Sequence, residues 1–283
     1  MKISGIFFRL PVLVMFIMFA HSLSSEDALY TLRWKTGKDI TAFRVTGTDI
    51  SSSTLSVKDI LTDEKSVINM PVETSMTLLL KRYDDDEITV NFYIDEIRFR
   101  DSGEDGESGD NAALKEMADS VNGKLGIIGR INLHGSVTSF WLAESQENLV
   151  AIFFELPERA VKPGDAWELH VNMISGDPAF RCRESARSTR VTFKSVERGP
   201  GNDVIAVLEY DILEKIKGTS SMGDIDCEMS YKGTGRFNIT RGEWKNLDMV
   251  ATIEMTGFMT ASQKQLMKLV KTGSIPAGYT VVE

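Results

Sequence analysis

Apolar residues recur at every second position along most of this chain, and that spacing restricts what it can fold into. Leu247, Met249, Ala251, Ile253 and Met255 alternate with Asp248, Thr252 and Glu254. Successive strand side chains point to opposite faces, so the run spells one long strand with an apolar face and a wet face. Tyr30, Leu32 and Trp34 alternate in the same way, Thr36-Gly37-Lys38-Asp39 is a turn signal, and Thr41 to Val45 returns as a strand. Two hairpins follow from the same reasoning. Met76–Lys81 and Ile88–Ile97 flank a turn at Asp84-Asp85-Asp86, and Val191–Val196 and Val204–Ile212 flank Gly199-Pro200-Gly201-Asn202.

Helical spacing is expected in two places. From Asn111 to Asn122, Leu114, Met117, Ala118 and Val121 share a face; Asp110 caps the start and Gly123 ends the helix. From Ala261 to Lys271, Leu266, Met267, Leu269 and Val270 give an apolar side, with capping boxes from Thr260 to Gln263 or Ser262 to Gln265.

The order of elements repeats. Gly129-Arg130-Ile131-Asn132-Leu133-His134-Gly135 resembles Gly235-Arg236-Phe237-Asn238-Ile239-Thr240-Arg241-Gly242, and a hairpin precedes each. The expected class is therefore mainly β (α+β): two antiparallel curved sheets or half-barrels from a diverged internal repeat, with a few short helices. Between the halves, Pro163-Gly164 fits the centre of a type II turn that launches a strand from Trp167 to Met173. This places an N-terminal β lobe at 23–155 and a C-terminal β lobe at 156–283.

The first residues point to export. Lys2 and Arg9 precede the apolar run Leu10–Ala20, and Ala20 and Ser22 then suit a cleavage site before Leu23. Charge, apolar run and small residues in that order read as a signal peptide over 1–22. The run is shorter than the roughly 20 residues of a membrane span, and no later segment of the expected mature chain is apolar enough to cross. The expected location is periplasmic or extracellular. Net charge is −9, and losing Lys2 and Arg9 makes the mature chain more acidic still. Such a surface repels nucleic acid. In an oxidising compartment, Cys182 and Cys227 are expected to pair as one disulfide, worth about 4 kcal/mol through loop closure.

The segment Leu156-Pro157-Glu158-Arg159-Ala160-Val161-Lys162-Pro163-Gly164-Asp165-Ala166-Trp167 reads LP-x3-V-x2-GD-x-W. With a glycine–arginine strand on either side, it resembles a family of exported bacterial proteins catalogued only as a domain of unknown function. The resemblance implies a secreted two-part β protein and supplies no activity. Many members are lipoproteins, whereas this chain has no lipid-accepting cysteine near its expected cleavage point. In architecture alone, the strand pattern is similar to the half-barrels of lipoprotein carriers.

The sequence offers no catalytic residues, metal ligands or cofactor motif to nominate. His134 and His170 stand without ligand partners at zinc spacing. Asp101–Asp110 lacks the glutamate that closes a calcium loop, since position twelve is Ala112. Asp95 with Glu96, and Glu209 with Asp211, are paired acids of the kind glycoside hydrolysis uses across a cleft; they read equally as solvated strand faces. Arg181, Arg183, Arg187 and Arg190 form a basic cluster around Cys182, suited to an anionic headgroup or polymer, or to pairing with nearby acids. Met249, Met255, Phe258, Met259, Phe140 and Trp141 suit a lipid, another hydrophobic ligand or an envelope protein, and equally an ordinary core. The expected function is a non-enzymatic secreted or periplasmic binding protein. The alternatives are a carboxylate-dependent hydrolase with its cleft between the lobes, and a structural envelope or surface component.

Overall fold

The computed structural model describes residues 28–51, 54–58, 65–69, 71–99, 109–140, 150–171, 180–220, 223–257 and 259–283. The expected signal peptide, the acidic loop 101–108, Trp141 and Phe258 lie outside the described residues, and the side chains of Phe140 and Met259 are likewise not described. The strands are β1 (Thr41–Asp49), β2 (Thr54–Lys58), β3 (Lys65–Asn69), β4 (Pro71–Arg82), β5 (Glu87–Phe99), β6 (Lys124–Asn132), β7 (Val137–Phe140), β8 (Ala166–Glu168), β9 (Arg181–Arg198), β10 (Val204–Ser220), β11 (Gly223–Asn238), β12 (Glu243–Gly257) and β13 (Met259–Thr272). A helix, α1, spans Gly109–Val121.

The protein is mainly β and antiparallel. Its sheet runs in the order β7-β6-β5-β4-β1-β13-β12-β11-β10-β9-β8, and the β2–β3 ribbon is attached through β13. Strands β4 to β7 form one meander and β9 to β13 another. They join because β1 lies between β4 and β13 and pairs with both, so one sheet runs through both halves of the sequence.

That sheet curls, and its hydrogen bonds show how far. The N–H of Trp34 donates to Leu133 in the β6–β7 turn, and the N–H of Lys35 donates to Gly242 in the β11–β12 turn. These turns are six strand spacings apart, or nearly ~30 Å across a flat sheet. Two adjacent residues bridge them only if the sheet folds toward itself as a half-barrel.

The enclosed end is filled from within. Residues 150–154 are helical and buried. The last carbonyls of a helix have no partner within it. Here two indoles supply partners: Trp34 Nε1 donates to the Phe154 carbonyl (2.8 Å) and Trp244 Nε1 to that of Phe153 (2.6 Å). Trp34 also meets Phe43, Phe154, Phe237 and Trp244 at ring-centroid distances of 5.1–6.5 Å, mostly edge to face. Burying each indole stabilises the fold by up to about 5 kcal/mol from area alone.

The two glycine–arginine segments fall on β6 and β11 and end in turns built alike. The Asn132 side chain accepts N–H groups of His134 and Ser136, and the Asn238 side chain accepts that of Arg241. Gly135 and Gly242 have φ of 84° and 65°. A Cβ on Gly135 would lie 1.8 Å from the Phe154 carbonyl oxygen, and one on Gly242 would lie 2.5 Å from Lys35 N. Both turn glycines therefore admit the filling segments.

Three expectations are corrected. Residues 261–271 are not a helix but the body of β13. Its apolar residues fit two periods, and pairing with both β12 and β1 satisfies its backbone on either side. Ala261, Gln263 and Leu269 are the buried set, two or more positions apart. The cysteines are not bonded: Cys182 is exposed and Cys227 buried. Cys182 sits opposite Gly218 and Cys227 opposite Ile216, so β10 separates them. Two strand spacings are about 9.5 Å, beyond the roughly 7 Å that a disulfide spans between Cα atoms. The strand expected from Trp167 to Met173 is shorter, ending at Glu168 in β8.

Two outcomes follow from this packing. Gly135→Ala and Gly123→Ala each force alanine to positive φ, costing about 1–2 kcal/mol. Only Gly135 meets an obstacle, so it is expected to lose a further ~2 kcal/mol in urea unfolding followed by tryptophan fluorescence. For the thiols, burial first, then Asp226 and Glu214, push Cys227 up to about 11. In the native protein at pH 8, Ellman's reagent is expected to titrate Cys182 alone, with Cys227 reacting on unfolding.

Candidate functional site

The outer face of the C-terminal meander is a ladder of cross-strand ion pairs. Lys194–Glu209, Lys232–Asp211, Lys215–Glu228, Lys217–Asp226 and Arg236–Glu197 lie at 2.8–3.2 Å. Exposed pairs of this kind add about 0–1 kcal/mol each; their consequence is a fully hydrated face. Among the nominated acids, Glu209 and Asp211 are members of this ladder. Asp95 accepts the hydroxyls of Ser75 and Thr77, and Glu96 pairs with Arg98.

The inner face differs. Past the aromatic filling, β10 to β13 continue, and their inward residues face one another in rungs. Ile212, Tyr231, Ala251 and Gln265 form one rung; Glu214, Met229, Ile253 and Gln263 the next; Ile216, Cys227, Met255 and Ala261 the third. Tyr231, Met229, Ile253 and Met255 remain half-buried. Alternation puts these side chains on the same face as the buried Tyr210, Leu247 and Met249. The wall resists charge: burial, then the negative charge of Glu155, raises the Tyr210 phenol, and burial raises that of Tyr231.

One ion pair is set into this wall. Glu214 is 3 % exposed, and Arg187 on β9 reaches its carboxylate at 2.5 Å. The four nominated arginines do not converge. Arg187 turns inward, opposite Glu214. Arg183 falls in the β9 irregularity and pairs with Asp224 at 3.2 Å. Arg190 is exposed in register with Asp211 and Glu168, and Arg181 is exposed opposite Thr219. Strand alternation splits the cluster between two faces.

Glu214, Gln263 and Gln265 were missed as inner-wall residues. A signal existed for the first: Leu208, Tyr210, Ile212 and Ile216 mark an apolar face that Glu214 interrupts. The glutamines continue the alternation of Met267 and Leu269 and were hidden by the helical reading. Of the histidines, His170 is exposed and its ring meets the buried Glu155 at 2.5 Å, where the same carboxylate also accepts the His170 N–H. This fastens 169–171 beside the filling segment. Among the described residues, no three His, Cys, Asp or Glu side chains gather as a metal site.

No family model matches the chain, and no curated protein matches it.

Arg187→Leu removes the guanidinium facing a buried carboxylate. The expected loss is about 2 kcal/mol, below the fully buried range because the arginine side chain is itself half exposed. Arg187→Leu combined with Glu214→Leu is expected to regain most of that loss in chemical denaturation. Additive losses in the double variant would show that the pair is not coupled.

Proposed function

We propose that this is an exported, non-enzymatic binding protein that holds a lipid-like, amphipathic ligand against the inner wall of its half-barrel. One observation carries the reading. Tyr231, Met229, Ile253 and Met255 stay half-buried on the inner face of β11 and β12, beside the ion pair of Arg187 and Glu214. Methionine and isoleucine suit a flexible apolar chain because methionine adapts its shape at little cost. A charged pair bordering an apolar wall suits the polar end of the same molecule. The hydrated outer ladder leaves the inner face as the better surface for an apolar guest. Export rests on the N-terminal pattern of charge, apolar run and small residues, which places the protein in the periplasm or outside the cell.

The test is titration of the purified chain with dansylaminoundecanoic acid. Expected are a saturable, blue-shifted signal with one probe per chain and displacement by unlabelled palmitate. Met229→Glu or Ile253→Glu is expected to weaken binding about tenfold or more by placing a charge in the apolar wall. No saturable signal, or equal binding by both variants, overturns the reading and favours an envelope protein as the partner.

A further inference from the structure

On the outer face of the N-terminal meander, cross-strand ion pairs of Arg98 with Glu73 (2.8 Å) and Arg130 with Glu87 (3.7 Å) flank a stretch across which the chain's own final segment lies. Asn91 and Tyr93, two apart on β5, point outward beneath that segment. The Asn91 side-chain amide donates to the Val282 carbonyl (3.1 Å) and accepts the Val282 N–H (2.6 Å). The Tyr93 hydroxyl repeats the scheme on Thr280, donating to its carbonyl (2.7 Å) and accepting its N–H (3.2 Å). Each side chain thus reads both backbone groups of one residue of this segment.

Side chains are read at the alternate positions. Tyr279 stacks on Tyr93 with ring centroids 4.0 Å apart. Tyr279 and Val281 pack on the patch made by Ala42, Leu79 and Tyr93. Glu283 pairs with Lys81 at 2.7 Å, in a shallow pocket of about 410 Å³ that Lys38 and Arg82 also line. The surface therefore specifies aromatic-x-aliphatic-x-acid in extended form, and otherwise reads only main chain.

The segment is held lightly. Residues 274–283 belong to no strand, and Ile275 and Val282 stay exposed. Four part-buried hydrogen bonds, one stacked ring, the Val281 contact and one ion pair oppose the entropy of ordering the segment, opposing contributions of similar size that leave docking and release close in free energy.

We propose that the outer face of β4, β5 and β6 is a recognition site for an extended polypeptide of the pattern aromatic-x-aliphatic-x-acid, filled in cis by residues 279–283 and available to such a segment of a partner protein when that tail lifts. This is recognition of main chain by side chains, distinct from strand addition, because β5 already pairs with β4 and β6 on both edges. It is independent of the ligand assigned to the inner wall.

Two measurements test it. In the unaltered protein, hydrogen exchange at the Thr280 and Val282 amides is expected to run at least ~100-fold faster than at Leu80 and Val90, reporting release without unfolding. In the full chain carrying Tyr279→Ala and Val282→Pro, a fluorescein-labelled peptide of residues 275–283 is expected to bind at least ~10-fold tighter than to the unaltered chain, whose tail competes at high effective concentration. Adding Asn91→Leu is expected to remove that gain, with circular dichroism unchanged. Tail amides as protected as the strands, a peptide that binds both chains equally, or indifference to Asn91→Leu would each overturn the proposal. Should the tail variant fail to fold, the exchange rates in the unaltered protein decide alone: strand-like protection there overturns release.

Discussion

Two indole N–H groups, bound to consecutive carbonyls at the end of the helical residues 150–154, organise this molecule. Phe153 and Phe154 bring those carbonyls into the middle of the sheet, where water cannot satisfy them. Trp34 and Trp244 arrive from opposite ends of the sequence and do so. Removing either indole would leave a buried acceptor as well as a void, and the first is the harder to repair. The curl of the sheet depends on the same place. The segment that delivers Trp34 is also the one that ties the β6–β7 turn to the β11–β12 turn.

Closing one end in this way gives the two faces different tasks. Cross-strand ion pairs keep the outer face of β9 to β11 hydrated. The inner face carries the aromatic core at one end and the methionine- and isoleucine-lined wall at the other. The buried Glu214 is tolerated in that wall because Arg187 crosses from the neighbouring strand to meet it. Over β4 to β6 the outer face is instead covered by the chain's own tail, held through side chains that read its backbone. An apolar guest and a polypeptide guest would therefore occupy opposite sides of one sheet without competing.

Much of the strand architecture was legible because the period of two is a local property. Both hairpins, the long β12 and the turn at Pro163-Gly164 can each be read within about a dozen residues. The turn shows its defining bond, from the Asp165 N–H to the Lys162 carbonyl. Residues 261–271 were misread because Leu266, Met267, Leu269 and Val270 satisfy a helical face as well as two strand faces. Only the presence of β12 on one side and β1 on the other selects the strand. The cysteine pair misled for a related reason: an even count says nothing about which strand intervenes. The arginine cluster looked like one patch because sequence proximity conceals that successive residues of a strand point to opposite faces.

The sequence by itself determined the class of element at most positions, the turns where glycine and asparagine are required, and which face of each strand is apolar. These depend on neighbouring residues and on the fixed geometry of the backbone. The tertiary structure alone decided that β1 joins two meanders into one sheet and that Glu214 is buried against Arg187. It alone brought Asn91 and Tyr93 to bind residues 191 and 187 positions further along the chain. Each of these is a contact between residues far apart in sequence, and no local pattern records which distant partner a side chain will meet.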